Sequence, residues 1–232
     1  MERADSRIAV VIPAYQAAET LPAVLAGTRA TLPHAALIVV DDGSQDDTAT
    51  AATGAGAQLC RHDRNQGKGA ALRTGIAAAV AAGAAAIVTL DADGQHAPTE
   101  APSLLAPVVA GTADLVLGAR ARSRPMPLSR RTSNWLSSVL ATRAVGAPVP
   151  DAQTGFRAFT RAVAQAVRPP EPRYDWELAF LLGAAAAGFR ISSVPVSTVY
   201  AGARSYFDYV GDTLRVARVF ARHAGRIVRG GR

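Results

Sequence analysis

This chain predicts an α/β fold: a mixed, mainly parallel sheet flanked by helices, followed by a C-terminal amphipathic helix. Three observations predict it. Short apolar runs alternate with helix-length segments through the first half of the sequence, with short connections between them. Several of these runs end in polar residues, which strands of one direction deliver to a single edge of the sheet. The chain has 232 residues, 49% hydrophobic and 19% charged, which suits one core of ordinary size.

Ile8–Ile12 reads as a strand stopped at Pro13, and a helix follows over about 19–30, with Glu19 or Thr20 near its start. Ala36–Val40 is a second strand ending in Asp41-Asp42-Gly43-Ser44, after which Asp46 or Asp47 caps a helix to about residue 53. Ala57–Arg61 is a third strand, Lys68–Ala82 a third helix, and Ala85–Leu90 a fourth strand behind Gly83. Glu100–Val109 is helical behind Pro98-Thr99, and Leu115–Gly118 is a fifth strand.

After Arg120 the pattern changes. A polar, proline-marked loop covers 122–127, a helix Ser129–Arg143, and a loop bearing Asp151 covers 149–156. Trp176–Gly188 is helical and Arg190–Val194 is a strand. From Phe207 onward Val210, Leu214, Ala217, Ala221, Ala224 and Val228 recur at helical spacing, beside Arg215, Arg218, Arg222, Arg226 and Arg229. Tyr206, Phe207 and Tyr209 serve as core residues or interfacial anchors. The expected division is a main domain over 1–204 and a basic amphipathic helix over 205–232.

The net charge of +7 favours anionic partners: nucleotide phosphates, an acidic membrane face or nucleic acid. Nucleic acid is the weakest of these, for want of zinc-finger spacing, an aromatic-basic RNA signature or a recognition helix. The single cysteine, Cys60, forms no intrachain disulfide, which points to a reducing cytoplasm. No secretory signal and no run of ~20 apolar residues is expected.

Leu90-Asp91-Ala92-Asp93-Gly94-Gln95-His96 carries the chemistry. Asp91 and Asp93, with the Gln95 amide oxygen, are hard donors suited to one face of Mg²⁺ or Mn²⁺, which keeps positions open for substrate phosphates. Pro13-Ala14-Tyr15 with Glu19, Asp41-Asp42 and the acidic triplet should meet at one edge, with Tyr15 against a base and Asp41 or Asp42 on base or ribose. For Asp41-Asp42-Gly43-Ser44 a turn with a helix cap is the competing reading. Asn65-Gln66-Gly67-Lys68-Gly69 opens a helix, where Lys68 and the helix N-terminus would attract phosphate, although it is no Walker motif. Arg120, Arg130 and Arg131 are further phosphate candidates. His34, His62 and His223 read as surface residues, while His96 adjoins the acidic triplet.

Val11-Ile12-Pro13-Ala14-Tyr15, Asp41-Asp42-Gly43-Ser44, Asn65-x-Gly67-Lys68-Gly69, Asp91-Ala92-Asp93-Gly94-Gln95-His96 and Asp151-Ala152-Gln153-Thr154-Gly155-Phe156-Arg157 occur in that order. Together they resemble family 2 glycosyltransferases of the GT-A (Rossmann-like) fold, most of all the dolichol- and polyprenyl-phosphate sugar transferases, over about residues 7–200. The resemblance implies that Pro13, Tyr15, Glu19 and Asp42, with Asp41 and Ala92 beside them, hold the nucleoside. It implies that Asp91, Asp93 and Gln95 bind the divalent ion. Lys68, Arg120 and Arg131 would lie near the diphosphate or the acceptor phosphate. Asp151 matches the acidic residue of the acceptor-side loop, and Glu177 the carboxylate of the helix behind it. Gly94 departs from the bulky apolar residue common at that position and leaves the ligands intact. Many members also carry C-terminal membrane spans, which this chain lacks, so any attachment would be peripheral, at the inner face of the cell membrane.

The resemblance therefore implies an inverting, metal-dependent hexosyltransferase that moves a sugar from a GDP-mannose or UDP-hexose type donor to undecaprenyl or dolichyl phosphate. Asp93, Asp151 and Arg131 would be its catalytic residues. A soluble glycan or metabolite as acceptor, and a nucleotide-binding module without catalysis, are the alternatives.

Overall fold

The structure is a computed structural model, and it describes residues 8–120, 128–197, 217–222 and 225, without the side chains of 128–136. Among the described residues seven strands make one sheet: β1 (Ile8–Ala14), β2 (Ala36–Asp41), β3 (Gln58–Arg61), β4 (Ala86–Thr89), β5 (Leu115–Arg120), β6 (Arg157–Thr160) and β7 (Ile191–Val196). Their order is β3-β2-β1-β4-β6-β5-β7. Every pairing is parallel except those of β6, which runs against both β4 and β5.

The helices are α1 (Leu21–Thr31), α2 (Thr48–Gly54), α3 (Lys68–Ala81), α4 (Ala101–Val109), α5 (Leu128–Val145), α6 (Arg161–Ala166) and α7 (Trp176–Ala186). They cover both faces of the sheet. Alternate residues along each strand point to opposite faces, so Val11, Val40 and Ile87 pack with α3 and α7 while Val10, Val39 and Val88 pack with α1 and α4.

The expected stop at Pro13 is not where β1 ends. The Val11 carbonyl accepts from Leu90 N–H on the β4 side, so Pro13, two residues on, turns its nitrogen to that same side. The β1–β4 pairing has finished by then, at Val11 opposite Thr89, so the missing N–H interrupts no paired stretch of the ladder. β1 continues along β2 to Ala14 opposite Asp41.

β6 and α6 were not expected. Thr160, the last residue of β6, caps α6 by accepting from Val163 N–H at 3.3 Å. The antiparallel direction matters for the site: β6 starts at the edge where β4 ends, which brings the 151–156 loop against the Asp91 strand end.

In the C-terminal segment residues 217–222 are helical. Val219 and Phe220 are buried in the core, Arg222 pairs with Glu171, and Ala217 and Ala221 are exposed. The apolar stripe drawn through Ala217 and Ala221 is therefore not the face that meets the domain. A valine and a phenylalanine bury far more apolar area than alanines and set the helix rotation. Tyr206, Phe207, Tyr209, Val210, Leu214, Arg215, His223, Ala224, Arg226, Val228, Arg229 and the 122–127 loop lie outside the described residues. Among the described residues, no helix is long and apolar enough to cross a membrane.

Candidate active site

The carboxyl ends of β1, β2, β4 and β5 and the start of β6 share one edge of the sheet. Beyond β4, Asp91 lies against the 151–156 loop. Thr89 Oγ1 donates to the Gly155 carbonyl at 2.7 Å, and a Cβ placed on Gly155 would stand 2.4 Å from Asp91 Oδ2. Only glycine fits there. On the other side, Thr20 Oγ1 donates to the Ala92 carbonyl at 2.6 Å, tying the β1–α1 connection to the acidic triplet.

Lys68, the first residue of α3, places its ammonium between two carboxylates: 2.7 Å from Asp91 Oδ1 and 2.8 Å from Glu177 Oε1 of α7. The glycines around it serve a close backbone approach. Gly67 has φ +99°, and a Cβ there would meet the Pro172 carbonyl at 2.4 Å. That carbonyl also accepts from Ala70 N–H, so the start of α3 is engaged by the protein chain itself, and Lys68 reaches carboxylates rather than an open helix end.

Burial alone would lower the Lys68 pKa, but Asp91 and Glu177 outweigh it and hold the ammonium well above the lysine range. Burial pushes the Asp91 carboxyl up, and Lys68, with smaller help from His96, brings it below the usual range. Asp93 moves the other way. Burial and the charge of Asp91 raise it, and among the described residues its side chain accepts only the Gln95 N–H, at 3.0 Å. His96, buried against Phe156 at 5.2 Å between ring centroids, has its pKa pushed down by desolvation, with Arg120 and Lys68 acting in the same direction against Asp91.

On β5, Arg120 Nε donates to Asp151 Oδ2 at 2.6 Å. Arg157, fully buried at the start of β6, donates to the carbonyls of Ala152, Thr154 and Glu177. Desolvation pushes its pKa down to about 10, with Glu177, Asp151 and Asp91 opposing, so it stays charged at neutral pH. Among the described residues the network sets four carboxylates (Asp91, Asp93, Asp151, Glu177) against three cations (Lys68, Arg120, Arg157). Asp93 is the one of these carboxylates with no ion pair among the described residues.

The hard oxygens of Asp91, Asp93 and Gln95 fit a divalent ion chemically. Among the described residues no three His, Cys, Asp or Glu side chains form a chelating group. Two carboxylates completed by substrate phosphates and water are how Mg²⁺ is commonly held.

Asp41 and Asp42 are buried and engaged. Asp41 Oδ1 accepts from Ser44 N–H at 2.9 Å and Oδ2 pairs with Arg61 at 3.1 Å. Asp42 accepts from the backbone N–H groups of Gln66 and Gly67 and meets His62. Gly43 at φ +75° brings this turn onto the Arg64–Asn65 backbone. The turn reading accounts for the Asp41–Ser44 contact, whereas Asp42 reaches across to the backbone that leads into α3.

A cavity of about 540 Å³ opens beside them, lined by Tyr15, Ser44, Arg61, Asp63, Arg64 and Asn65 among others. Pro13 is buried in β1, and Glu19 is exposed ahead of α1. The Arg130 and Arg131 side chains lie outside the described residues. Sequence reasoning missed two residues. His62 looked solvated within a charged run, and Arg157 gave no sign of burial beyond its place after Thr154-Gly155-Phe156.

A profile of the Glycosyl transferase family 2 matches residues 9–168. The chain is 30% identical over 205 residues to the undecaprenyl-phosphate mannosyltransferase of Micrococcus luteus, covering 83% of this chain and 84% of that one. It is 28% identical over 220 residues to the UDP-N-acetylglucosamine–dolichyl-phosphate N-acetylglucosaminyltransferase of Methanococcus voltae, covering 85% and 87%. In fold it is similar to glucosyl-3-phosphoglycerate synthase from Mycobacterium tuberculosis, solved with Mn²⁺, UDP and glucosyl-3-phosphoglycerate. The TM-score is 0.76 at 24% identity, over 94% of this chain and 80% of that one.

Proposed function

The chain belongs to glycosyl transferase family 2, and on that premise we propose that it moves a sugar from a nucleotide-sugar to a polyprenyl phosphate with inversion at the anomeric carbon. The observation that carries this reading is the Arg120–Asp151 ion pair. The acceptor-side carboxylate is committed to a guanidinium, an arrangement suited to an acceptor that needs positive charge more than a base. A lipid phosphate is such an acceptor, since a phosphate monoester with its second pKa of about 6 is largely dianionic at neutral pH. The relatives named for undecaprenyl and dolichyl phosphate support the same acceptor.

In this reading Tyr15 and the cavity beside it take the nucleoside. Asp91, Asp93 and Gln95 hold a divalent ion, Mg²⁺ or Mn²⁺, which when bound offsets the charge developing on the departing diphosphate. Lys68 keeps Asp91 ionised and oriented. Arg120, steadied by Asp151, presents its guanidinium to phosphate oxygens, and Arg131 is proposed to assist it. A phosphate oxygen of the acceptor bonds to the anomeric carbon as the carbon–oxygen bond to the diphosphate breaks, and the electron pair leaves with the nucleoside diphosphate. In-line attack inverts the centre.

Such an acceptor places the protein at the inner face of the membrane, where arginines of the C-terminal segment are each worth about 1 kcal/mol near an anionic surface. One observation favours a soluble acceptor instead: Val219, Phe220 and Arg222 of that segment are engaged with the domain itself. The test is a panel of UDP- and GDP-sugars offered with undecaprenyl phosphate and Mn²⁺ or Mg²⁺, read as lipid-linked sugar. Donor- and metal-dependent product supports the proposal. Sugar transfer to a water-soluble acceptor alone, with no binding to anionic vesicles, overturns the lipid assignment.

A further inference from the structure

His62 sits just beyond β3 with both ring nitrogens engaged. Nδ1 is 2.7 Å from Asp42 Oδ1, and Nε2 is 2.9 Å from Thr74 Oγ1 on α3. A carboxylate only accepts, so Nδ1 carries a proton and donates, while Nε2 is engaged with the Thr74 hydroxyl. Asp42 in turn accepts from Gln66 N–H at 2.9 Å and Gly67 N–H at 2.8 Å. The short stretch bearing Asp63, Arg64 and Asn65, a wall of the cavity, is thereby pinned at both ends to one buried carboxylate.

We infer that His62 is a positioning residue for nucleotide binding: acting through Asp42, it fixes the wall of the cavity that receives the nucleoside diphosphate. This rests on the proposed nucleotide-sugar donor. His62 itself borders the cavity, but both its ring nitrogens are engaged within the protein, so its polar effect on the ligand passes through the loop. The inference also gives Asp42 a role other than direct nucleoside contact.

Matched amides test it. In His62→Asn the amide nitrogen takes the place of Nδ1 and still donates to Asp42, whereas in His62→Gln it takes the place of Nε2 at Thr74. Binding of UDP and of GDP, each with MnCl₂, is measured by calorimetry, alongside kcat and donor KM. His62→Ala and His62→Gln are expected to weaken nucleotide binding and raise donor KM about tenfold, the scale of one charge-assisted hydrogen bond, with kcat at saturating donor held within about twofold. His62→Asn should retain most of the affinity. Thr74→Val should lower the unfolding temperature while affinity stays within about twofold of wild type.

If His62→Ala does not fold, the Asn and Gln pair decides alone. Equal affinity of those two variants, or a fall in kcat at constant KM, overturns the inference. A wild-type protein that binds neither nucleotide overturns the proposed donor instead.

Discussion

Arg120 and Asp151, 31 residues apart, hold one another through an Nε–H donated to Oδ2 at 2.6 Å. The family resemblance assigns them separately, one to phosphate and one to the acceptor loop. Their pairing makes them a single positioning unit. Asp151→Asn keeps an oxygen that accepts from Arg120, so with polyprenyl phosphate as acceptor kcat should fall by about tenfold or less. Arg120→Gln removes the charge proposed to meet phosphate and should cost about 10²–10³ in kcat. If Asp151 were an obligate base, Asp151→Asn would lose about 10²–10⁴. Steady-state kinetics on the two variants separates these outcomes.

Lys68→Met should destabilise the fold strongly. It strips the cation from buried Glu177 and part-exposed Asp91 together, and breaking a buried ion pair from one side costs up to about 3–5 kcal/mol. Urea unfolding measures this. Lys68→Met/Glu177→Gln should recover part of the loss, because one stranded charge is then removed.

Two glycines in helices should respond oppositely to alanine. A Cβ on Gly75 in α3 would stand 2.4 Å from Val11 Cγ1 and 3.0 Å from Val40 Cγ2, so Gly75→Ala overpacks the helix–sheet contact at a cost of about 1–3 kcal/mol. Gly54, at the end of α2, has open space around it, and Gly54→Ala should gain about 0.4–1 kcal/mol through the unfolded chain. Thermal unfolding of the two variants checks the sign of each.

Asp114 accepts from the Arg190 side chain and from its backbone N–H, and these hydrogen bonds hold its carboxyl below the ordinary value of 3.8. A depressed folded-state pKa means that the stabilisation is complete above that ordinary value. It is lost as pH falls through the lower, folded-state one. Asp114→Asn should therefore lower the unfolding temperature near neutral pH and converge with wild type toward about pH 2. A constant gap across that range would contradict it.

Most of the architecture was legible in the sequence because β1, β2, β4 and β5 are apolar runs punctuated by polar ends. β6 was not: Arg157-Ala158-Phe159-Thr160 is four residues long, begins with a buried arginine, and follows a turn-rich loop. Its antiparallel placement depends on pairing with β4 and β5, which no local pattern records. The acidic triplet, Lys68, Arg120 and Asp151 were legible as site residues, but their mutual pairing was not. Charge type can be read from sequence; which opposite charge a fold sets beside it cannot. Asp41 and Asp42 illustrate the limit, since an Asp-Asp-Gly-Ser turn reads alike whether its oxygens face a ligand or, as here, the N–H groups of Ser44, Gln66 and Gly67. His62 was passed over for the same reason.

The most direct measurement is turnover of Asp93→Ala against wild type, with the preferred nucleotide-sugar, undecaprenyl phosphate and Mn²⁺. Asp93 is a proposed metal ligand with no ion pair among the described residues, so the account predicts that lipid-linked product falls to background while the unfolding temperature stays near that of wild type. Asp93→Ala turning over at the wild-type rate would contradict it.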